Sequence, residues 1–440
     1  MSFRAAISAL ALTAVLVGPV SAAEPAASTL TLAQAQQIAL QNHPTVRLSN
    51  FDVSAAQALV DVAKSSYYPQ VGASAVRAFA GDGTRIGTTG TGITDPTILQ
   101  RESVGVNVSQ LITDFGKTDS LVDASKDALQ AQIAVGQETR EAVLLSVTQA
   151  YFDLLRTQAL LKVADSTFKQ RDTLLGQIKS LQSAQLRSNL DVSIAQQDLD
   201  DAQQMVLQAK DSVADATATL VEALGYNDTR HFNLADIATV PAMTQRLDGA
   251  LEEASNQNPE LTELRAQRNA AKAYAEAASR AFYPTVSAMA YGGGNPIREE
   301  DQKLNPAYGT LGVVLSIPLF TGGSLEGQER ADQERAEAAQ AAFDAQRNRL
   351  LRDVHIAFDS LNTAYANIEV TQHQVDNAAD SLRLTEARYQ IGSSSIVDLS
   401  TAQLRQTQAQ IAHTDAIYQY LIRRAALDYV TGSIADNGTP

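Results

Sequence analysis

Two kinds of periodicity alternate along this chain. Leu129, Ile133, Val143, Val147, Tyr151 and Leu154 recur mostly at three- and four-residue steps or their multiples, the spacing of an apolar helix face packed on a neighbouring helix. Leu311, Val313, Leu315, Ile317 and Leu319 instead alternate with Gly312, Val314, Ser316 and Pro318. Val104, Val106 and Val108 likewise alternate with Gly105, Asn107 and Ser109, which is strand periodicity. No proline occurs from Thr97 to Val240 or from Leu319 to Thr439. Interior proline breaks helices, so these windows admit very long ones. The pattern predicts helices from about Lys117 to Leu186 and from about Ser324 to Ile391, each roughly 100 Å long at about 1.5 Å per residue. Such a helix cannot bury its apolar stripe in a small globule and must pack on other long helices.

The chain is written twice. Pro44 and Pro259 lie 215 positions apart, as do Leu32 and Leu247, and Tyr68-Pro69 and Tyr283-Pro284. Beyond the first strand the offset becomes 207: Ser109 pairs with Ser316, Gly116 with Gly323, Tyr151 with Phe358, Asp191 with Asp398, and Gly225 with Gly432. The change falls between Val76 and Val104, in a Gly/Thr-rich segment expected to be an exposed loop, like the segment from Gly292 to Pro306. Each half therefore reads as helix, strand, loop, strand, very long helix, turn, helix: a mainly α chain with membrane β. The first repeat is expected at 24–230, with strands at about 70–80 and 103–113 and a helical hairpin at 117–223. A connecting segment follows at 231–246, then a second repeat at 247–432, with strands at about 285–292 and 309–319 and a hairpin at 324–430, and a tail at 433–440.

Residues 1–23 read as a signal peptide. Arg4 opens it, Ala5 to Val17 is a short apolar run, and Ser21-Ala22-Ala23 resembles a cleavage site. No later stretch is apolar for the length a spanning helix needs, so an exported chain of this kind enters a membrane as a β-barrel. Four strands cannot close one, since known barrels have at least eight. The chain must oligomerise: two copies supply eight strands and three supply twelve.

Composition narrows the chemistry. A net charge of −15 argues against nucleic acid as a partner. With no cysteine, a disulfide, a thiolate metal site and an N-terminal lipidated cysteine are all excluded. Aromatics are 5% of residues and Trp is absent, which suits helices packed through small side chains rather than a large globular core. The five histidines show no ligand spacing. Gly81 to Gly90 looks like a phosphate loop, but it opens no helix after a strand, and Asp114-Phe115-Gly116 has none of the partner motifs of a kinase. A secreted enzyme would need a convergent catalytic set, and none is visible. A soluble periplasmic coiled-coil scaffold or adaptor would explain the helices but not the strand pairs.

The ordered motifs resemble the TolC family of outer-membrane efflux proteins. The likeness is carried by Leu32-Ala33-Gln34-Ala35 leading to Asn42-His43-Pro44, by the paired Tyr-Pro turns, and by strand ends Ser109-Gln110-Leu111 and Ser316-Ile317-Pro318-Leu319-Phe320. It continues in Asp114-Phe115-Gly116, Thr321-Gly322-Gly323, Arg388-Tyr389-Gln390-Ile391-Gly392 and Ile396-Val397-Asp398-Leu399. The resemblance implies a homotrimer, with a twelve-stranded barrel in the outer membrane and a helical tunnel in the periplasm. It implies passive export from an inner-membrane transporter through a periplasmic adaptor, without a cofactor and without hydrolysis. It also implies an acidic constriction at the inner end of the tunnel. Asp398 matches it, and Asp191 is its repeat partner, but Thr401 stands where the family's type member has a second Asp. Tyr389 matches the aromatic member of a latch between hairpins, whereas Ser394 replaces its basic member, so a weaker latch is expected. Gly392, Ser394, Tyr389 and Ser188 are expected at the gate or adaptor-contacting tip. Ser188 and Asp191, and Ser395 and Asp398, also have the spacing of a helix N-cap with an acid at the third position, a purely structural role. Three Asp398 carboxylates near one axis would attract cations and disfavour full ionisation.

Overall fold

The computed structural model describes residues 29–79, 87–89, 92–94, 100–228, 230–236, 240–294 and 307–434. The expected signal peptide at 1–23, most of the Gly/Thr-rich segment, the segment at 295–306 and the tail beyond Ile434 lie outside the described residues. In chain order the elements are α1 (Leu32–Asn42), α2 (Pro44–Lys64), β1 (Gln70–Phe79), β2 (Gly87–Thr89), β3 (Gly92–Thr94), β4 (Gln100–Thr113), α3 (Lys117–Ser183) and α4 (Asn189–Ala223). The second half follows with α5 (Leu247–Gln257), α6 (Pro259–Arg280), β5 (Thr285–Gly294), β6 (Ala307–Ser316), α7 (Ser324–Gln390) and α8 (Ile396–Thr431).

The opening helix of each half is in fact two. A residue before proline is disfavoured in helical conformation, so His43 and Asn258 both turn extended, at ψ 127° and 123°. Each then caps the next helix: His43 Nδ1 accepts from the Thr45 amide and Asn258 Oδ1 from the Leu261 amide. The strands also shift slightly. β6 stops at Ser316 rather than 319, because Pro318 has no amide to donate, and β4 starts at 100 rather than 103.

All four principal strands form one antiparallel sheet in the order β1-β4-β5-β6, and its register repeats the duplication. Gln70 faces Ser109 in the β1–β4 pair. Moving those residues by 215 and 207 positions gives Thr285 and Ser316, which face each other in β5–β6. Leu311, Val313, Leu315, Val104, Val106 and Val71 are all exposed, an apolar face with no protein covering it. Tyr68, Phe115, Phe282, Tyr283 and Phe320 are exposed where the sheet meets the helices. That is the position of an aromatic girdle on a membrane barrel.

Beneath the sheet, α3 and α7 are each 67 residues long. The shorter helices cover them in pairs. α2 and α4 both lie along α3, α8 lies along α7, and α6 packs against both α3 and α7. α8 ends where α6 begins: Asn258 Nδ2 donates to the Val430 carbonyl at 3.1 Å. The junctions are closed by glycines in left-handed conformation. A Cβ on Gly225 (φ +76°) would come within 3.0 Å of the His43 and Asn42 backbone, and one on Gly432 (φ +80°) within 2.9 Å of Gln257. The core between the columns is rich in alanine and leucine, centred on Val147, Tyr151, Leu154, Leu220, Leu361, Tyr420 and Leu427. Tyr151 donates to the carbonyls of Leu30 and Ala235, and Tyr420 to that of Pro241, which binds the connecting segment around the helices at mid-height.

Alanine at 225 or 432 meets both a disfavoured φ and immovable backbone. Gly225→Ala and Gly432→Ala should each destabilise the protein by more than about 1 kcal/mol, read as a lower thermal midpoint by circular dichroism in detergent.

Candidate pore constriction at the hairpin tips

The ends of α3/α4 and α7/α8 lie farthest from the sheet, and each turn is built on the same plan. Gln185 takes the left-handed conformation (φ +62°) in the first turn and Gly392 (φ +78°) in the second. Only glycine adopts this without cost, so the first turn is the more strained. Ser188 and Ser395 then cap α4 and α8. In each case the serine Oγ accepts from the amide three residues on, while the aspartate accepts from the serine amide and hydroxyl, at 2.9 Å for both in Asp191 and at 3.0 and 2.8 Å in Asp398.

Asp191 and Asp398 are therefore capping residues in this structure. Asp398 is also exposed, and it accepts a further hydrogen bond from the Ser394 hydroxyl at 3.1 Å. Donors from the Ser395 backbone, the Ser395 hydroxyl and Ser394 hold its carboxyl below the ordinary carboxylate range. Ser394 thus serves its own helix, and among the described residues it makes no hydrogen bond to the other hairpin of the same chain. Thr401 is exposed one turn after Asp398, on the same face, and its hydroxyl donates back to the Val397 carbonyl. Gly392 is exposed in the second turn and Ser188 in the first.

The two hairpin ends are joined by Leu175, Ile178, Ala195, Leu382, Tyr389, Ile396, Leu399 and Ala402. Polar pins cross above this cluster. Arg171 of α3 pairs with Asp198 of α4 at 2.9 Å and reaches Gln403 of α8, while Ser400 donates to Asp198 at 3.0 Å. Burial pulls the Arg171 guanidinium below its ordinary range, against the pull of Asp198 and Asp201. Below it, Arg187 crosses from the first turn to Tyr389, a contact that motif matching did not anticipate. One signal was available: Arg187 is 207 positions before Ser394, so the basic residue missing from the second repeat stands at the equivalent place in the first. Beside it a groove of about 630 Å³ runs between α3 and α7, lined among others by Lys169, Arg187, Arg383, Glu386, Tyr389 and Gln403.

A short, outward-apolar four-stranded sheet continued by 67-residue helices ending in capped turns is one protomer's share of an outer-membrane channel with a periplasmic tunnel. The sequence matches the outer membrane efflux protein family over residues 35–226 and 250–433, and the chain belongs to that family. The outer membrane protein TolC of Salmonella enteritidis is 23% identical over 437 residues, covering 92% of this chain and 82% of that protein. The solved structure of CusC matches with a TM-score of 0.78 at 18% identity, over 91% of this chain and 92% of CusC. VceC of Vibrio cholerae matches with a TM-score of 0.75 at 22% identity, over 91% and 96%. The protein is an outer-membrane efflux channel, with its sheet in the membrane and its helices in the periplasm.

If Asp398 lines the passage, Asp398→Ala and Asp398→Asn should both lower cation preference in single-channel recordings. Because the folded carboxyl sits below its ordinary value, the charge and the cap it supports persist at neutral pH and are lost as pH falls through the folded pKa. Acidifying wild type should therefore reproduce the substitution with a midpoint below about 3.8. A midpoint above that would mean repulsion among carboxylates outweighs the serine donors.

Proposed function

We propose that three copies assemble around one axis as the exit duct of a tripartite efflux or type I secretion system. The duct receives substrate from an inner-membrane transporter through a periplasmic adaptor. The observation that carries this is the pair of open sheet edges, β1 and β6. Each edge is ten residues long, and in lipid every unpaired backbone group costs several kcal/mol. Pairing β6 of one copy with β1 of the next removes both edges. An eight-stranded barrel has an interior just wide enough for side chains, so two copies would leave no passage and three provide one. The names borne by relatives, such as the toluene efflux pump outer membrane protein of Pseudomonas putida, support an export role. Tyr389, Gly392, Ser394 and Ser188 are the proposed gate or adaptor-contacting tip. Asp398, Thr401 and Asp191 are the proposed acidic narrowing.

The duplication supplies a register for the seam. Between the repeats Val108 faces Ala290, and Asn107 faces Tyr291. Shifting by the same offsets pairs Leu315 of one copy with Ala75 of the next, and Val314 with Val76. The chain has no native cysteine. Leu315→Cys combined with Ala75→Cys should therefore give covalent trimers on oxidation in membranes. Leu315→Cys with Val76→Cys places the thiols on opposite faces and should stay monomeric on denaturing gels. Cross-linking of the second pair but not the first would overturn the register. Cross-linking of neither, with the sheet intact in a monomer, would overturn the assembly.

A further inference from the structure

We infer that the carboxylate-lined pocket between α3 and α6 is a proton-operated joint: it takes up protons as the surroundings acidify, and doing so tightens the seam between the two halves of each chain. The seam lies within one protomer, so the inference goes beyond the proposed assembly and does not depend on it.

Helix spacing delivers the groups. Glu138 and Glu141 are three apart on α3, and Glu260 and Glu263 are three apart on α6, so each pair shares a face of its helix. α3 comes from the first half, α6 from the second, and the two pack together. Where α6 begins against the end of α8 they leave a cavity of about 120 Å³, whose walls include Glu138, Glu141, Glu260, Asp353 and Tyr429. Glu141 is buried, and the other four are half-buried, as is Glu263 one turn along α6.

The cations around this pocket are engaged elsewhere. Arg140 of α3 donates to Asn50. Arg265 and Arg268 of α6 lie over the Phe343 ring, and Arg352 of α7 pairs with Asp353. From α8 comes Tyr429, a phenol rather than a cation. Among the described ion pairs none includes Glu138, Glu260 or Glu263.

Burial, and then the charge of Glu260, push the Glu138 carboxyl up. Burial pushes up Glu263 as well, followed by Glu138 and Glu260, while a hydrogen bond from the Gln267 side chain pulls the other way. The Tyr429 hydroxyl is raised by burial and then by Glu138, Glu141 and Glu260. A carboxyl raised by folding weakens the fold wherever it is ionised. That penalty is present above the folded value and is relieved as pH falls through it. The sign is opposite to that at Asp398, whose cap is lost in acid.

The duplication shows that the helix plan does not require these acids. The repeat-equivalent positions of Glu138, Glu141, Glu260, Glu263 and Asp353 are Ala345, Asn348, Thr45, Leu48 and Ser146, none of them a carboxylate.

The test compares wild type with Glu138→Gln/Glu263→Gln, as purified full-length proteins in detergent. Glutamine keeps the shape of a protonated glutamate. At about pH 7.5 the double variant should melt about 3 °C above wild type, and at about pH 4.5 the two should melt together. Asp211→Asn/Asp215→Asn removes the same charge from exposed positions of α4 and should leave the wild-type profile unchanged. In wild type alone, protection of amides 135–142 and 259–266 from hydrogen exchange, corrected for intrinsic rate, should rise on acidification. Equal midpoints at pH 7.5, a gap that persists at pH 4.5, or the same gain from the α4 variant would overturn the joint. So would unchanged protection in wild type. If calcium at neutral pH supplies the whole gain and acid adds none, the pocket takes a metal ion rather than protons, and the inference fails.

Discussion

Backbone amides cannot be left unpaired in lipid, and most of this architecture follows from that constraint. Four strands in the order β1-β4-β5-β6 satisfy one another internally but leave two edges. Those edges must be closed by another copy, since the sheet's outward face, carrying Leu311, Val313 and Leu315, is apolar and uncovered. The duplication makes closure simple. In the proposed assembly the interface between the two halves of one chain, β4 on β5, is the template for the interface between chains, because the halves share both sequence pattern and register.

The helical part answers a different problem. Columns roughly 100 Å long have little lateral support from a compact core, so they are held by close packing and by periodic pins. Small residues permit the close approach, as in the alanine-rich clusters around Tyr151 and Tyr420. The junctions of the shorter helices fall at proline-directed breaks, where Gly225 and Gly432 let backbone meet backbone. Tyrosine hydroxyls then tie the connecting segment across the columns at mid-height.

At the tips, the groups proposed for function also carry the structure. The acids that begin α4 and α8 are needed to start those helices, and one of them, Asp398, is also exposed. The serine donors fix the Asp398 carboxylate in orientation. Its capping role neither demands nor forbids a place on the axis. The cross-hairpin contacts there combine an apolar cluster with a few polar pins.

Much of this was legible in the residues alone. The duplication, both long helices to within a few residues, all four membrane strands and both serine–aspartate caps followed from local pattern, because helix periodicity, strand alternation and capping depend on neighbours only a few positions apart. The breaks at His43 and Asn258 were marked by Pro44 and Pro259, yet each pair of helices read as one, because periodicity runs on across a kink. What the three-dimensional arrangement alone decided were contacts between residues hundreds of positions apart. It turned Ser394 toward Asp398 rather than toward the other hairpin, placed Arg187 on Tyr389 and put Arg171 between Asp198 and Gln403. Such partners are chosen by how two hairpins of different origin in the chain rotate against each other, and no spacing along one strand of sequence encodes that rotation.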